Sequence, residues 1–137
     1  MFNKGGLVAM FVVAFVWYFA DWGFYMSMPM SEEVKAAFGT VMHTQATMPN
    51  PLIYFLMELG GALVLAFACL QVPLSNAQAA KNGGLVMLGV LTVVNVGWYM
   101  SVNVPWPMSS FVIEGIYRVA MGAIGGVLMV WIARKMS

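Results

Sequence analysis

Charge is what this sequence has least of. Its 137 residues include six Lys or Arg and five Asp or Glu, 8% in all, against about 25% in a soluble domain. A small domain leaves much of its surface in water however well it packs, so the shortage excludes an ordinary water-soluble globule. The formal net charge of +1 leaves no basic excess to neutralise phosphates, so no nucleic-acid partner is expected. The single cysteine, Cys69, cannot close a disulfide within the chain and reads as a small buried apolar residue. The single histidine, His43, excludes bis-histidine haem ligation and a histidine-rich zinc site within one chain. Ser-His-Asp sets, zinc-ligand spacings, phosphate loops and dinucleotide fingerprints are all missing, so neither an enzyme nor a bound cofactor is expected.

What is present is apolar, at 62% of the residues. Four predominantly apolar runs, at about 7–30, 51–72, 85–104 and 107–133, each reach the roughly 20 residues a membrane-spanning helix needs. Barrel strands would need only about 9–11 residues, with alternation. The expectation is an all-α, polytopic membrane four-helix bundle in a single domain, with the lipid bilayer as its solvent. Lys4, Lys81, Arg134 and Lys135 fall at the N-terminus, the second loop and the C-terminus, whereas the opposite side carries Lys35 beside Glu32 and Glu33. The positive-inside rule then predicts N-in/C-in topology with both termini cytoplasmic, in a cell membrane of bacterial inner-membrane type. Lys4 ahead of an apolar run also resembles a signal peptide, but the run is long and no small-residue cleavage site precedes Asp21, so it is read as a retained span.

Between the first two runs, "SEEVKAAFGTVM" (31–42) offers Ser31 as an N-cap, Glu32 and Glu33 in a first turn, and Gly39 as a terminator. Val34, Phe38 and Val41 recur at helical spacing. A short amphipathic helix on the outer interface is predicted there. Pro51 then suits the first turn of the next helix.

The chain also repeats itself. "DWGFYMS" (21–27) returns as "NVGWYMS" (95–101), "NKGGLV" (3–8) as "KNGGLV" (81–86), and "PLIYFLME" (51–58) as "PMSSFVIE" (107–114). Three matches in one order predict two duplicated helical hairpins, 3–72 and 81–135. Two spans per hairpin make this the parallel kind of repeat, with its pseudo-two-fold axis along the membrane normal.

Inside the apolar runs stand four ionisable groups: Asp21, Glu58, Glu114 and Arg118. Each costs roughly 2.5–3.5 kcal/mol at mid-membrane on insertion scales and therefore faces the bundle interior. Glu58 and Glu114 each follow a proline by seven residues, about 10 Å of helix. Arg118 follows Glu114 by one turn and is expected to pair with it or with another carboxylate. Three carboxylates against one guanidinium would leave an uncompensated surplus, so at least one acid is expected to hold a proton. Asn95, the counterpart of Asp21, and Tyr117, beside Arg118, complete the predicted polar cluster. Such a cluster reads either as a proton- or cation-responsive site or as an interhelical staple.

Met26, Met28, Met30, Met42, His43 and Met48 form a second candidate. Thioether and imidazole ligands suit Cu(I), although methionine also fills gaps in cores without any metal. Trp17, Tyr18, Trp22, Tyr25, Trp98, Tyr99 and Trp106 gather toward one end of the runs, where aromatic belts sit. Gly60, Gly61, Gly122, Gly125 and Gly126 permit close helix approach, and Gly122 with Gly126 makes a small-xxx-small pair.

"FVIEGIYRVAMGAIGG" (111–126) resembles the closing helix of a bacterial family of small four-helix integral membrane proteins known only as a domain of unknown function, and "VWYFADWGFYM" (16–26) resembles its opening segment. Phe111, Ile113, Glu114 and Tyr117 fit that family's run, while Arg118 stands where it carries histidine. The resemblance implies a fold. The functional expectation is a small transport or permeation protein. The alternative is a non-catalytic accessory or assembly subunit of a larger membrane complex, and homo-oligomers fit either. Copper handling is the minor alternative.

Overall fold

The computed structural model describes residues 3–41, 50–101 and 105–136. Among these the chain is all-helical, with α1 Lys4–Ser27, α2 Glu32–Val41, α3 Pro51–Cys69, α4 Asn76–Ser101 and α5 Met108–Lys135. Four of the five, all but α2, are long and apolar enough to cross a membrane.

Local chemistry sets the helix ends. The Asn3 side chain accepts from the Gly6 N–H at 2.8 Å, and the Asn50 side chain from Leu52 N–H at 3.0 Å. Pro51 occupies the first turn of α3, where its missing N–H has no partner to lose. At the start of α4, Ser75 Oγ accepts from Gln78 N–H at 3.2 Å while Gln78 Oε1 accepts from Ser75 N–H at 2.9 Å. This reciprocal capping box starts the helix nine residues ahead of the apolar run, because its polar first turns are good helix formers. Arg134 and Lys135 in the last turn of α5 complement its negative dipole end.

The short helix forms where it was predicted. Ser31 Oγ accepts from Val34 N–H at 3.2 Å, and Val34 is buried. Gly39, however, does not end it. No glycine among the described residues adopts positive φ, and the helix runs through Gly39 to Val41.

Sequential spans run antiparallel. Trp17 of α1 lies against Gly61 of α3, and Tyr18 meets Phe55 edge-on. Asn82 Nδ2 of α4 donates to the Ala68 carbonyl at 3.0 Å. Ala79, Met87 and Leu91 of α4 meet Gly126, Gly122 and Gly115 of α5. The end of α5 returns to the start of α1, where Ala133 packs on Gly5. Small residues therefore line the inside. Ala9, Ala14, Ala62, Ala66 and Ala79 are fully buried, while Phe11, Phe15, Trp22, Leu56, Val93 and Ile116 face outward. Large apolar groups outside and small ones inside suit a bundle whose solvent is hydrocarbon, where tight packing rather than water exclusion joins the helices. Gly122 and Gly126 pack within this chain, backbone against the Gly83 and Ala79 backbone, so their small-xxx-small pair is used up inside the fold. Gly60 faces open space instead.

Gly126→Leu would drive a side chain into the Ala79 carbonyl. It is expected to lower unfolding free energy in detergent by about 1–3 kcal/mol or more, while Gly60→Leu should stay within about 0.5 kcal/mol of the parent. A denaturant titration followed by tryptophan fluorescence measures both.

Candidate functional site

The helix ends dictate where polar groups meet. Asp21 lies six residues before the end of α1, Asn95 six before the end of α4, Glu114 six after the start of α5 and Glu58 seven after the start of α3. Alternating direction brings these ends together, so all four groups sit about 10 Å inside one end of the bundle. Arg118 starts one turn deeper on α5. Side chains on a helix lean toward its N-terminus, which points Arg118 up to the same level.

Each α1 and α5 contribution lies on one face at helical spacing. Trp17, Asp21 and Tyr25 recur every four residues, as do Ser110, Glu114 and Arg118. Asp21 and Glu58 are 7% and 6% exposed, and Glu114 is 9% exposed. Arg118 Nη1 donates to Asp21 Oδ2 at 2.5 Å, and the Tyr117 hydroxyl donates to Asp21 Oδ1 at 2.8 Å. Arg118 Nη2 donates to the Tyr25 hydroxyl at 3.0 Å. That hydroxyl in turn donates to Glu114 Oε1 at 2.5 Å. Asn95 Nδ2 donates to Glu114 Oε2 at 3.2 Å. Glu58 is buried at the same level on α3.

Aromatic rings hold the guanidinium. Its carbon lies 5.7 Å from the Tyr25 ring centroid and 5.8 Å from that of Tyr117, within cation–π range. Tyr117 is itself fixed by a parallel stack on Phe24, centroids 3.9 Å apart. Planar Arg118 thus bonds a carboxylate and a phenol hydroxyl at once while lying within cation–π range of two rings, a fork of donors that lysine lacks.

Beneath the cluster the bundle is closed. Trp17 is 2% exposed, donates its indole N–H to the Met121 carbonyl at 3.1 Å and wedges against Gly61 and Gly125. Above it, a cavity of about 50 Å³ lies between Met30, Val34, Trp106, Pro107 and Ser110. Ser110 is one turn from Glu114 on the same face of α5, so this cavity sits directly outside the cluster.

Of the six residues singled out from sequence, Asp21, Asn95, Glu114, Tyr117 and Arg118 are joined by these bonds, and Glu58 is buried at the same level. Arg118 pairs with a carboxylate as expected, and Asp21 is the closer one, Arg118 Nε standing 3.9 Å from Glu114 Oε1. Two aromatic residues differ from expectation. Tyr25 joins the cluster at its centre rather than serving only in an interfacial belt, and Trp17 belongs to the core. The i, i+4 series from Trp17 through Asp21 to Tyr25 was the available signal. In the other candidate, Met26 is 74% exposed and Met28 and Met30 are half-buried; Met42, His43 and Met48 lie outside the described residues. Nothing in the described geometry assembles these ligands around a point.

Comparison with protein-family models, curated proteins and solved structures finds no match for this chain.

Asp21 and Arg118 are both removed from water, so deleting one strands the other. Asp21→Ala is expected to destabilise the protein by about 3–5 kcal/mol. The exposed Lys35–Glu32 pair should contribute nothing measurable, so Lys35→Ala serves as the control. Chemical unfolding in detergent micelles compares the two.

Proposed function

We propose that this is a small multi-pass membrane protein of transport or permeation type, in which the Asp21, Glu58, Asn95, Glu114, Tyr117 and Arg118 cluster, joined by Tyr25, is the solute- or ion-responsive site. The observation that carries this reading is convergence. Four apolar helices each place a polar or charged group at one level, where a hydrocarbon-facing chain has every physical reason to place none. The cluster lies under a cavity at one end and above an apolar floor at the other, the arrangement of a site reached from one side at a time. A staple needs one pair. Seven groups drawn from four helices exceed that need.

Orientation follows from charge. Lys4 and Arg134 with Lys135 lie at the end of the bundle opposite the cluster, as Gly5 against Ala133 requires. By the positive-inside rule that end is cytoplasmic and the cluster lies in the outer half, with α2 on the outer interface. The three sequence matches support an origin in two duplicated hairpins. The outward-facing apolar side chains are compatible with either a lone chain in lipid or a homo-oligomer.

One observation favours the competing reading, a non-catalytic accessory subunit. The bundle is packed backbone to backbone at Gly83, Gly122 and Gly126, which leaves little interior space for a path. Copper handling has no comparable support, since Met26 faces outward.

Liposomes loaded with a pH-sensitive dye distinguish these. Under an imposed pH step, Glu58→Gln and Glu114→Gln are each expected to slow proton-linked flux by about tenfold or more, a barrier change of about 1.4 kcal/mol. Parental flux in both variants would remove the transport reading. Co-purification of a stoichiometric larger partner, lost on altering the outward face of α3, would favour the accessory one.

A further inference from the structure

Ser110 brings a buried hydroxyl that no described residue bonds. The residue is 8% exposed. Its backbone N–H donates to the Pro107 carbonyl at 2.9 Å, and no hydrogen bond to a described residue engages its side chain. It lines the cavity of about 50 Å³ outside the cluster, together with Ser31, Trp106 and the apolar walls of Met30, Val34 and Pro107. A water needs about 10–15 Å³ of such space, so the cavity takes several waters or one small solute. Trp106 is held edge-on to Phe111, ring centroids 6.5 Å apart. An indole is the best cation–π acceptor among side chains, a hydroxyl accepts a hydrogen bond, and apolar walls suit a carbon substituent. The lining contains no carboxylate, so a hard divalent ion, which takes about six or more oxygen ligands, does not fit.

Charge decides the sign of the solute. All five acids of the chain, Asp21, Glu32, Glu33, Glu58 and Glu114, lie at this end of the bundle with two bases, Lys35 and Arg118. Against them stand the N-termini of α2 and α5, which border the cavity through Ser31, Val34, Pro107 and Ser110. Each N-terminus carries roughly half a positive charge, and Glu32 and Glu33 in the first turn of α2 already offset one of them. The acid surplus exceeds what remains, and neutralising one carboxyl leaves the sign unchanged. We propose that the cavity is a binding site for a small monovalent cation of ammonium type, ammonium itself or a primary alkylammonium, with its charge against Trp106 and an N–H donated to Ser110 Oγ. Glu114, one turn from Ser110 on the same face of α5, is the cluster carboxyl next in line behind the site. The site therefore stands at the mouth of the cluster. As the naming of a transported solute this rests on the transport reading; as a binding site it does not.

Equilibrium binding of radiolabelled methylammonium to the protein in phosphatidylcholine nanodiscs, with no gradient applied, tests it. Saturable binding is expected, displaced by ammonium chloride but not by equimolar sodium chloride, sodium formate or methanol. Trp106→Leu and Ser110→Ala should each weaken it by about tenfold. Trp106→Phe, which keeps a ring, should stay within about threefold of the parent. Lys135→Ala, at the opposite end of the bundle, should leave binding unchanged. A parent that binds no methylammonium saturably overturns the proposal. So does displacement by formate or methanol as effective as by ammonium, or full binding in either Trp106→Leu or Ser110→Ala. Because the measurement involves no flux, binding as expected in a protein whose liposomes pass nothing would defeat only the transport reading. Flux slowed by Glu58→Gln and Glu114→Gln, in a parent that binds no methylammonium, would defeat only this site.

Discussion

A guanidinium taken out of water cannot be left alone, and most of this molecule is arranged around that fact. Arg118 stands in an otherwise apolar helix and needs carboxylates, hydroxyls and aromatic faces within reach. It finds Asp21 and Tyr25 on α1 and Tyr117 one residue before it. Those contacts require α1 and α5 to run antiparallel at close range. Close range in turn requires the glycines and alanines that fill the interior, because bulkier residues would hold the helices too far apart for these bonds to form. Glu114 then needs its own donors, which brings in Asn95 from α4. The desolvation of a few groups thus constrains three of the four long helices.

The fold was largely legible in the sequence, and for a simple physical reason. Where lipid is the solvent, backbone groups must be satisfied within each segment, so long apolar runs can only be helices. The runs at 7–30, 51–72, 85–104 and 107–133 correspond to α1, α3, α4 and α5, and Ser31 with Glu32 and Glu33 marked α2. The failures were at boundaries. The apolar run hides the true start of α4 because a capping box at Ser75 and Gln78 acts through polar residues, and Gly39 resembles a stop although glycine ends a helix only where the chain turns left-handed.

The site was legible by residue and less so by pairing. Ionisable groups in apolar helices announce themselves; Asp21, Glu114 and Arg118 meet, and Glu58 is buried at their level. What one-dimensional spacing does not contain is which helices touch. Glu114 lies one turn from Arg118, so it was the obvious local partner, yet the shorter bond runs to Asp21, nearly a hundred positions away in the chain. Tyr25 was ambiguous for a related reason. A tyrosine near the end of a span can sit in the headgroup region or turn inward, and only the presence of Arg118 and Glu114 on the neighbouring helix decides the matter. Trp17, grouped with the belt by proximity, is instead the floor of the site, because glycines at 61 and 125 leave room for an indole.

The central claim is that the carboxyls and Arg118 form one connected network rather than separate structural bonds. A double-mutant cycle between Asp21→Asn and Glu114→Gln tests it most directly, since these two acids are joined only through Arg118 and Tyr25. Unfolding free energies measured in the same lipid–detergent mixture should show a coupling between about 0.5 and 3 kcal/mol. Effects that simply add, to within about 0.3 kcal/mol, would contradict the account and leave two independent contacts in its place.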